Sequence, residues 1–113
     1  MAGVQADIVA RVRRFVEALN ERIPLERVIL FGSYATGVPG PESDIDIAVV
    51  SPVFGRNPWD DRKTLYETMI AAKIDPRIEP HPFAPEDLNA RSSFLAREIL
   101  SKGIVIYEPQ VSI

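Results

Sequence analysis

The segment LFGSYATGVPGPESDIDIAVV, from Leu30 to Val50, constrains the fold more than any other stretch. Two apolar, β-branched runs, RVILF at Arg27–Phe31 and IDIAVV ending at Val50, flank residues that can extend neither of them. Val38-Pro39-Gly40-Pro41 forms a loop, because the prolines remove N–H donors and the glycine opens backbone angles closed to other residues. Gly32-Ser33 closes the first run and leads into Tyr34-Ala35-Thr36, enough for one helical turn before Gly37.

The flanking sequence supplies helices. Ile8, Val9, Val12, Phe15, Val16 and Leu19 recur at helical spacing, which predicts an amphipathic helix from about Ala6 to Glu21, closed with the help of Pro24. After a second loop, Pro52 to Pro58, Asp60 or Asp61 can start a helix on which Leu65, Tyr66, Met69 and Ile70 share a face. Lys63 and Glu67 form an i,i+4 pair on its exposed side. RIEPHPF, Arg77–Phe83, alternates, and its prolines confine it to a sheet edge or an extended segment. A helix from Pro85, broken near Asn89 to Arg91, ends at Lys102 with Gly103 as its C-terminal cap, and IVIY at Ile104–Tyr107 is a last strand. This order predicts an α/β (α+β) fold, a small mixed β-sheet flanked by helices. The length of 113 residues predicts one domain, residues 1–113.

Composition removes several function classes. No apolar stretch approaches the ~20 residues of a membrane span, and the opening MAGVQADIVARVRR lacks the apolar core of a signal peptide. A soluble, cytoplasmic protein is expected. With no cysteine there is no disulfide, thiolate ligand or Cys nucleophile, so a metal would be held by oxygen or by the lone His81. The net charge of -3 and pI near 5.1 argue against a sequence-independent grip on nucleic acid. Arg11, Arg13 and Arg14 read as a solvated helix face rather than a phosphate-binding patch.

The chemistry lies in the Asp-Ile-Asp triplet. Side chains alternate along a strand, so Asp44 and Asp46 point one way and Ile45 and Ile47 the other. Their α-carbons would lie ~6.6 Å apart, close enough to lean toward a shared cation. Among apolar neighbours two such charges repel unless a cation compensates them, and hard divalent ions such as Mg²⁺ bridge carboxylates to phosphates. Upstream, the turn after Gly32 would offer free N–H groups, a positive dipole end and the Ser33 hydroxyl to an anion. Gly32 would let the backbone approach a phosphate closely. Either feature alone is weak, since Ser43-Asp44 could be plain turn residues. Together, in this order, they describe a site for a nucleoside triphosphate and its metals.

Gly32-Ser33, a gap to Asp44, then Asp46 and an apolar strand resemble the signature of the minimal nucleotidyltransferases in the DNA polymerase β-like superfamily. The likeness runs from the first helix to Tyr107. It implies the polymerase β-like nucleotidyltransferase fold and transfer of a nucleoside monophosphate, usually AMP from ATP, with two Mg²⁺ ions and release of pyrophosphate. It further implies that Ser33 contacts the triphosphate and that Asp44 and Asp46 hold the metals. A third carboxylate is expected on the next strand. Glu79, sharing a face with Arg77 and His81, is the candidate, as a metal ligand or as the base for the acceptor, although relatives more often carry Asp there. In the two-metal scheme the ions lie ~3.5–4 Å apart, one activating the attacking hydroxyl and one steadying pyrophosphate. Asp75, Glu86 and Asp87 compete with Glu79 but read as a turn residue and helix-start charges. Thr36 stands where many relatives carry a basic residue; Arg56, Arg62, Lys63 and Lys73 are possible replacements that read as surface charges. His81 either faces the site or, as is commoner for a lone histidine beside two prolines, is a structural surface residue. Trp59, Tyr66 and Phe83 read as core packing rather than adenine stacking.

Larger nucleotidyltransferases append helical domains that bind the acceptor. The resemblance therefore implies a separate small helical HEPN-domain partner in a toxin–antitoxin pair, masked by contact or adenylylated on a tyrosine. A non-catalytic antitoxin that neutralises its partner by contact is the alternative. Transfer to a small molecule such as an aminoglycoside is a third.

Overall fold

The computed structural model describes residues 6–37, 39–40 and 43–109. The expectations for the N-terminal residues 1–5, and for Val38 and Pro41 of the loop, lie outside them. Along the chain run α1 (Ala6–Asn20), β1 (Arg27–Phe31), a single turn α2 (Ser33–Thr36), β2 (Ile45–Val50), α3 (Pro58–Ala72), β3 (Ile78–Phe83), a 3-10 turn (Pro85–Asp87), α4 (Phe94–Lys102) and β4 (Ile104–Tyr107). The sheet order is β3-β2-β1-β4. β1 runs antiparallel to β2 and to β4, while β2 and β3 are parallel, so the sheet is mixed as the element order predicts.

Prolines decide which strand takes the edge. The Ile45 N–H donates to the Arg77 carbonyl at 2.8 Å and the Ser51 N–H to the Phe83 carbonyl at 3.1 Å. Odd-numbered residues of β3 thus turn their backbone polar groups toward β2. Pro80 and Pro82, which have no N–H to give, fall in the alternate positions that face the open edge.

Alternation along β2 divides the interior in two. Ile45, Ile47 and Val49 join Val28, Leu30 and the inward faces of α1 and α3 in the larger apolar cluster. Ala48 and Val50 pack with Ile29, Phe31, Leu88, Ala96 and Ile99 beneath α4 on the opposite face. Asp46, between Ile45 and Ile47, therefore looks out on the α4 side.

α3 departs from its expected pattern. It begins at Pro58, with the Asn57 carboxamide oxygen accepting from the N–H groups of Trp59 and Asp60 at 3.0 and 3.4 Å. Leu65 and Met69 are buried, but Tyr66 and Ile70 are exposed, so the four residues do not share one face. The core side is completed by Asp61 and Thr68, whose polar atoms bond locally: Asp61 Oδ2 accepts from the Gly55 N–H at 3.0 Å, and the Thr68 hydroxyl donates to the Thr64 carbonyl at 2.7 Å. Trp59, Tyr66 and Ile70 follow each other at steps of seven and four on the outer side, with Trp59 84% and Ile70 78% exposed. Core packing of Trp59 and Tyr66 is thus overturned, whereas Phe83 does pack against the α4-side cluster.

Gly103 follows α4 as expected, yet for another reason. Its φ of -72° is ordinary, but a Cβ there would sit 2.4 Å from the Ile99 carbonyl oxygen and 2.5 Å from Ile29 Cγ2. Close approach of α4 to β1, and not a left-handed cap, requires glycine. A helix end that does take a left-handed residue is that of α3, where Lys73 has φ 54°.

The arginines of α1 are not simply solvated. Arg14 donates to the carbonyls of Ala72 and Lys73 at 3.0 and 3.4 Å, satisfying the exposed C-terminal end of α3. Arg11 meets Asp75 at 2.6 Å, and Arg77 meets the same carboxylate at 3.1 Å. Burial alone would raise the Asp75 pKa, but the hydrogen bonds from the Arg77 side chain and backbone and from Arg11 outweigh it and pull it from 3.8 to about 2. A depressed carboxylate stabilises the fold fully above its unfolded pKa and loses that contribution as pH falls through the folded value. Asp75→Asn should cost about 1–2 kcal/mol at pH 7 in urea denaturation. The same substitution should flatten the loss of stability between about pH 4 and pH 2.

Candidate active site

Strand register assembles the site. In the parallel β2–β3 ladder Asp46 is paired with Glu79 and Ala48 with His81, while across β1 Asp46 is paired with Phe31. Glu79 and His81 each precede a proline, a position that disfavours helical backbone, and both are extended in β3 with side chains on one face. Asp46, Glu79 and His81 bring one ligand atom each to within 4.8 Å of one another. His81 Nε2 lies 3.3 Å from Asp46 Oδ1 and 3.7 Å from Glu79 Oε1. Its ring leans on Phe31, with centroids 5.2 Å apart and planes tilted by 60°. All three are half-buried, beyond the part of the sheet that α4 covers.

Gly32 faces this group across the sheet end. It takes φ 75°, a conformation that favours glycine, and a Cβ on it would come within 2.8 Å of Asp46 Oδ2. The expected close approach at Gly32 is therefore realised toward the Asp46 carboxylate. Beyond it, the N–H groups of Ala35 and Thr36 both donate to the Gly32 carbonyl at 3.1 Å, and that of Gly37 to the Ser33 carbonyl at 3.1 Å. The N–H groups of Ser33 and Tyr34 have no partner among the described residues. Tyr34 is buried beneath the turn, with its hydroxyl 3.5 Å from Arg77.

Asp44 is exposed and immediately precedes β2; it lies outside the three-residue group. Asp75 is engaged with its two arginines, and Glu86 and Asp87 sit in the 3-10 turn, so among these competitors Glu79 is the carboxylate brought to Asp46. Arg62, Lys63 and Lys73 belong to the α3 side of the sheet, opposite Asp46, and do not replace a basic residue at Thr36. The Thr36 hydroxyl is used locally, on the Ser33 and Gly32 carbonyls at 3.3 and 3.4 Å.

His81, read from the sequence as sharing a face with Glu79 but as a structural surface residue, is brought into the group. Glu79 and His81 are two apart between prolines, the spacing already read for Asp44 and Asp46, and that repeated signal places the imidazole beside the carboxylates. Two carboxylates and an imidazole are a donor set that suits a divalent cation.

Residues 12–103 match the nucleotidyltransferase domain family, and the chain belongs to it. Its fold is that of the polymerase β-like superfamily, which includes the minimal nucleotidyltransferases. The structure superimposes on a Sulfolobus solfataricus protein described as a nucleotidyltransferase with a TM-score of 0.68 at 20% identity, covering 90% of this chain and 81% of that one. A toxin–antitoxin structure with AMP-PNP matches with a TM-score of 0.61 at 21% identity over 87% and 73% of the two chains. The MntA-HepT toxin–antitoxin matches at 0.56 and 17% identity over 88% and 72%. No curated protein matches the sequence. Among the described residues no helix is long and apolar enough to cross a membrane.

Gly32→Ala tests the packing of the turn against Asp46. The added methyl must displace the carboxylate and strain a positive φ, so a stability loss of about 1–2 kcal/mol is expected. Divalent-cation binding should weaken more than it does in a Thr36→Ala control, as read by calorimetry.

Proposed function

We propose that the protein transfers a nucleoside monophosphate, AMP from ATP, to a hydroxyl on a partner protein, with a tyrosine of a small helical HEPN-type protein as the acceptor. The observation that carries this reading is the convergence of Asp46 and Glu79 beside the Gly32-Ser33 turn, within a chain of the nucleotidyltransferase family. The acceptor oxygen would bond to the α-phosphorus as the bond to the β-phosphate oxygen breaks and pyrophosphate leaves. The Ser33 hydroxyl and the free N–H groups of Ser33 and Tyr34 would bind the triphosphate. Asp44, Asp46 and Glu79 would hold the divalent ions, with Mg²⁺ the default for an oxygen-only set. Bound there, two such ions supply activation of the acceptor hydroxyl and charge neutralisation on the leaving pyrophosphate. Glu79 would serve as a ligand or take the acceptor proton.

Structural neighbours solved as toxin–antitoxin complexes, one of them with AMP-PNP, support both the partner and the nucleotide. The exposed apolar stripe of Trp59, Tyr66 and Ile70 on α3 favours a second reading, neutralisation of that same partner by contact alone. An aminoglycoside-type small acceptor has no comparable observation behind it.

Label transfer from α-phosphate-labelled ATP to the partner separates the readings. Asp44→Asn/Asp46→Asn should reduce transfer at least ~100-fold while leaving partner binding within about twofold. Unchanged neutralisation of the partner by that double variant would favour the contact reading.

A further inference from the structure

His81 places a nitrogen donor beside the two carboxylates of the candidate metal site. Glu79 and His81 alternate with Pro80 and Pro82, so the backbone of both is fixed before any ligand arrives. The lateral neighbour of His81 on β2 is Ala48, whose short side chain leaves the imidazole free to lean along the strand toward Asp46. Phe31 closes the other side of the ring. Among the described residues the polar partners of the imidazole are the Asp46 and Glu79 carboxylates, at 3.3 and 3.7 Å. Neighbouring ligands on an octahedral ion with bonds of ~2.1 Å stand about 3 Å apart. The three donors are therefore spaced to meet one ion after small side-chain movements.

The identity of the donors then bears on which ion is held. Mg²⁺ prefers oxygen and gives up its waters reluctantly, whereas first-row transition ions accept an imidazole nitrogen readily. We propose that His81 is a nitrogen ligand to the cation held by Asp46 and Glu79, and that it shifts the preference of the site from Mg²⁺ toward ions such as Mn²⁺ that take both oxygen and nitrogen. The inference rests on the nucleotidyl-transfer reading for the place of the ion and adds which atom reaches it and which metal it favours.

His81 is the only histidine in the chain, so ¹⁵N-histidine labelling marks a single residue. Electron–nuclear double resonance on Mn²⁺ added to the labelled protein, alone and with AMP-PNP, should show ¹⁵N coupling from a directly bonded imidazole. The label distinguishes it from any nitrogen of the nucleotide. His81→Ala should weaken Mn²⁺ binding about tenfold and Mg²⁺ binding less than about threefold, with the circular dichroism spectrum unchanged. Mn²⁺ that binds, and is lost in Asp46→Asn, but shows no ¹⁵N coupling or an equal loss of both metals in His81→Ala, would overturn the ligand role and leave the nucleotidyl-transfer reading standing. If neither metal binds, or if Asp46→Asn changes nothing, both ideas fall together.

Discussion

Asp46 emerges from an inner strand of the sheet between apolar neighbours, and a second carboxylate faces it from the adjoining strand. Two like charges held that close lower stability unless a cation or a proton donor lies between them. Here the imidazole of His81 stands beside both, its Nε2 3.3 Å from Asp46 Oδ1 and 3.7 Å from Glu79 Oε1. The rest of the fold reads as the apparatus that keeps this arrangement from relaxing. Apolar clusters lock β2 from both sides, the register of β2 on β3 brings Glu79 opposite Asp46, and Gly32 withdraws a side chain that would otherwise push the carboxylate away.

The parallel pairing of β2 with β3 has a second consequence. Parallel strands need a crossover, and α3 supplies it, packing on the face of the sheet away from Asp46. The group of Asp46, Glu79 and His81 is thereby left on a face that α4 only partly covers, while the crossover helix presents Trp59, Tyr66 and Ile70 to the outside. The carboxylate group and the exposed apolar stripe thus lie on opposite sides of one sheet.

Much of this was legible in the sequence, because period-two alternation and turn residues report on local geometry directly. The strand bounds of β1, β2 and β4, the mixed sheet, the edge position of the proline-bearing strand and the common face of Glu79 and His81 follow from that logic. The outer face of α3 was not legible, since a helix with apolar residues on both sides gives no single stripe to follow. Nor were the roles of Arg11 and Arg14, which depend on where the end of α3 and Asp75 arrive in space. His81 was weighed by residue type, as a lone histidine near prolines, and its register partner Ala48 became known only once β2 and β3 were paired.

The central claim is that the carboxylates around Asp46 and the turn after Gly32 together hold a nucleoside triphosphate through a divalent cation. Calorimetric titration of ATP into the purified protein, with and without the divalent ion, and again into Asp44→Asn/Asp46→Asn, tests it most directly. The account predicts metal-dependent binding in the native protein and its loss in the double variant. Binding of equal strength without metal, or in the variant, would contradict it.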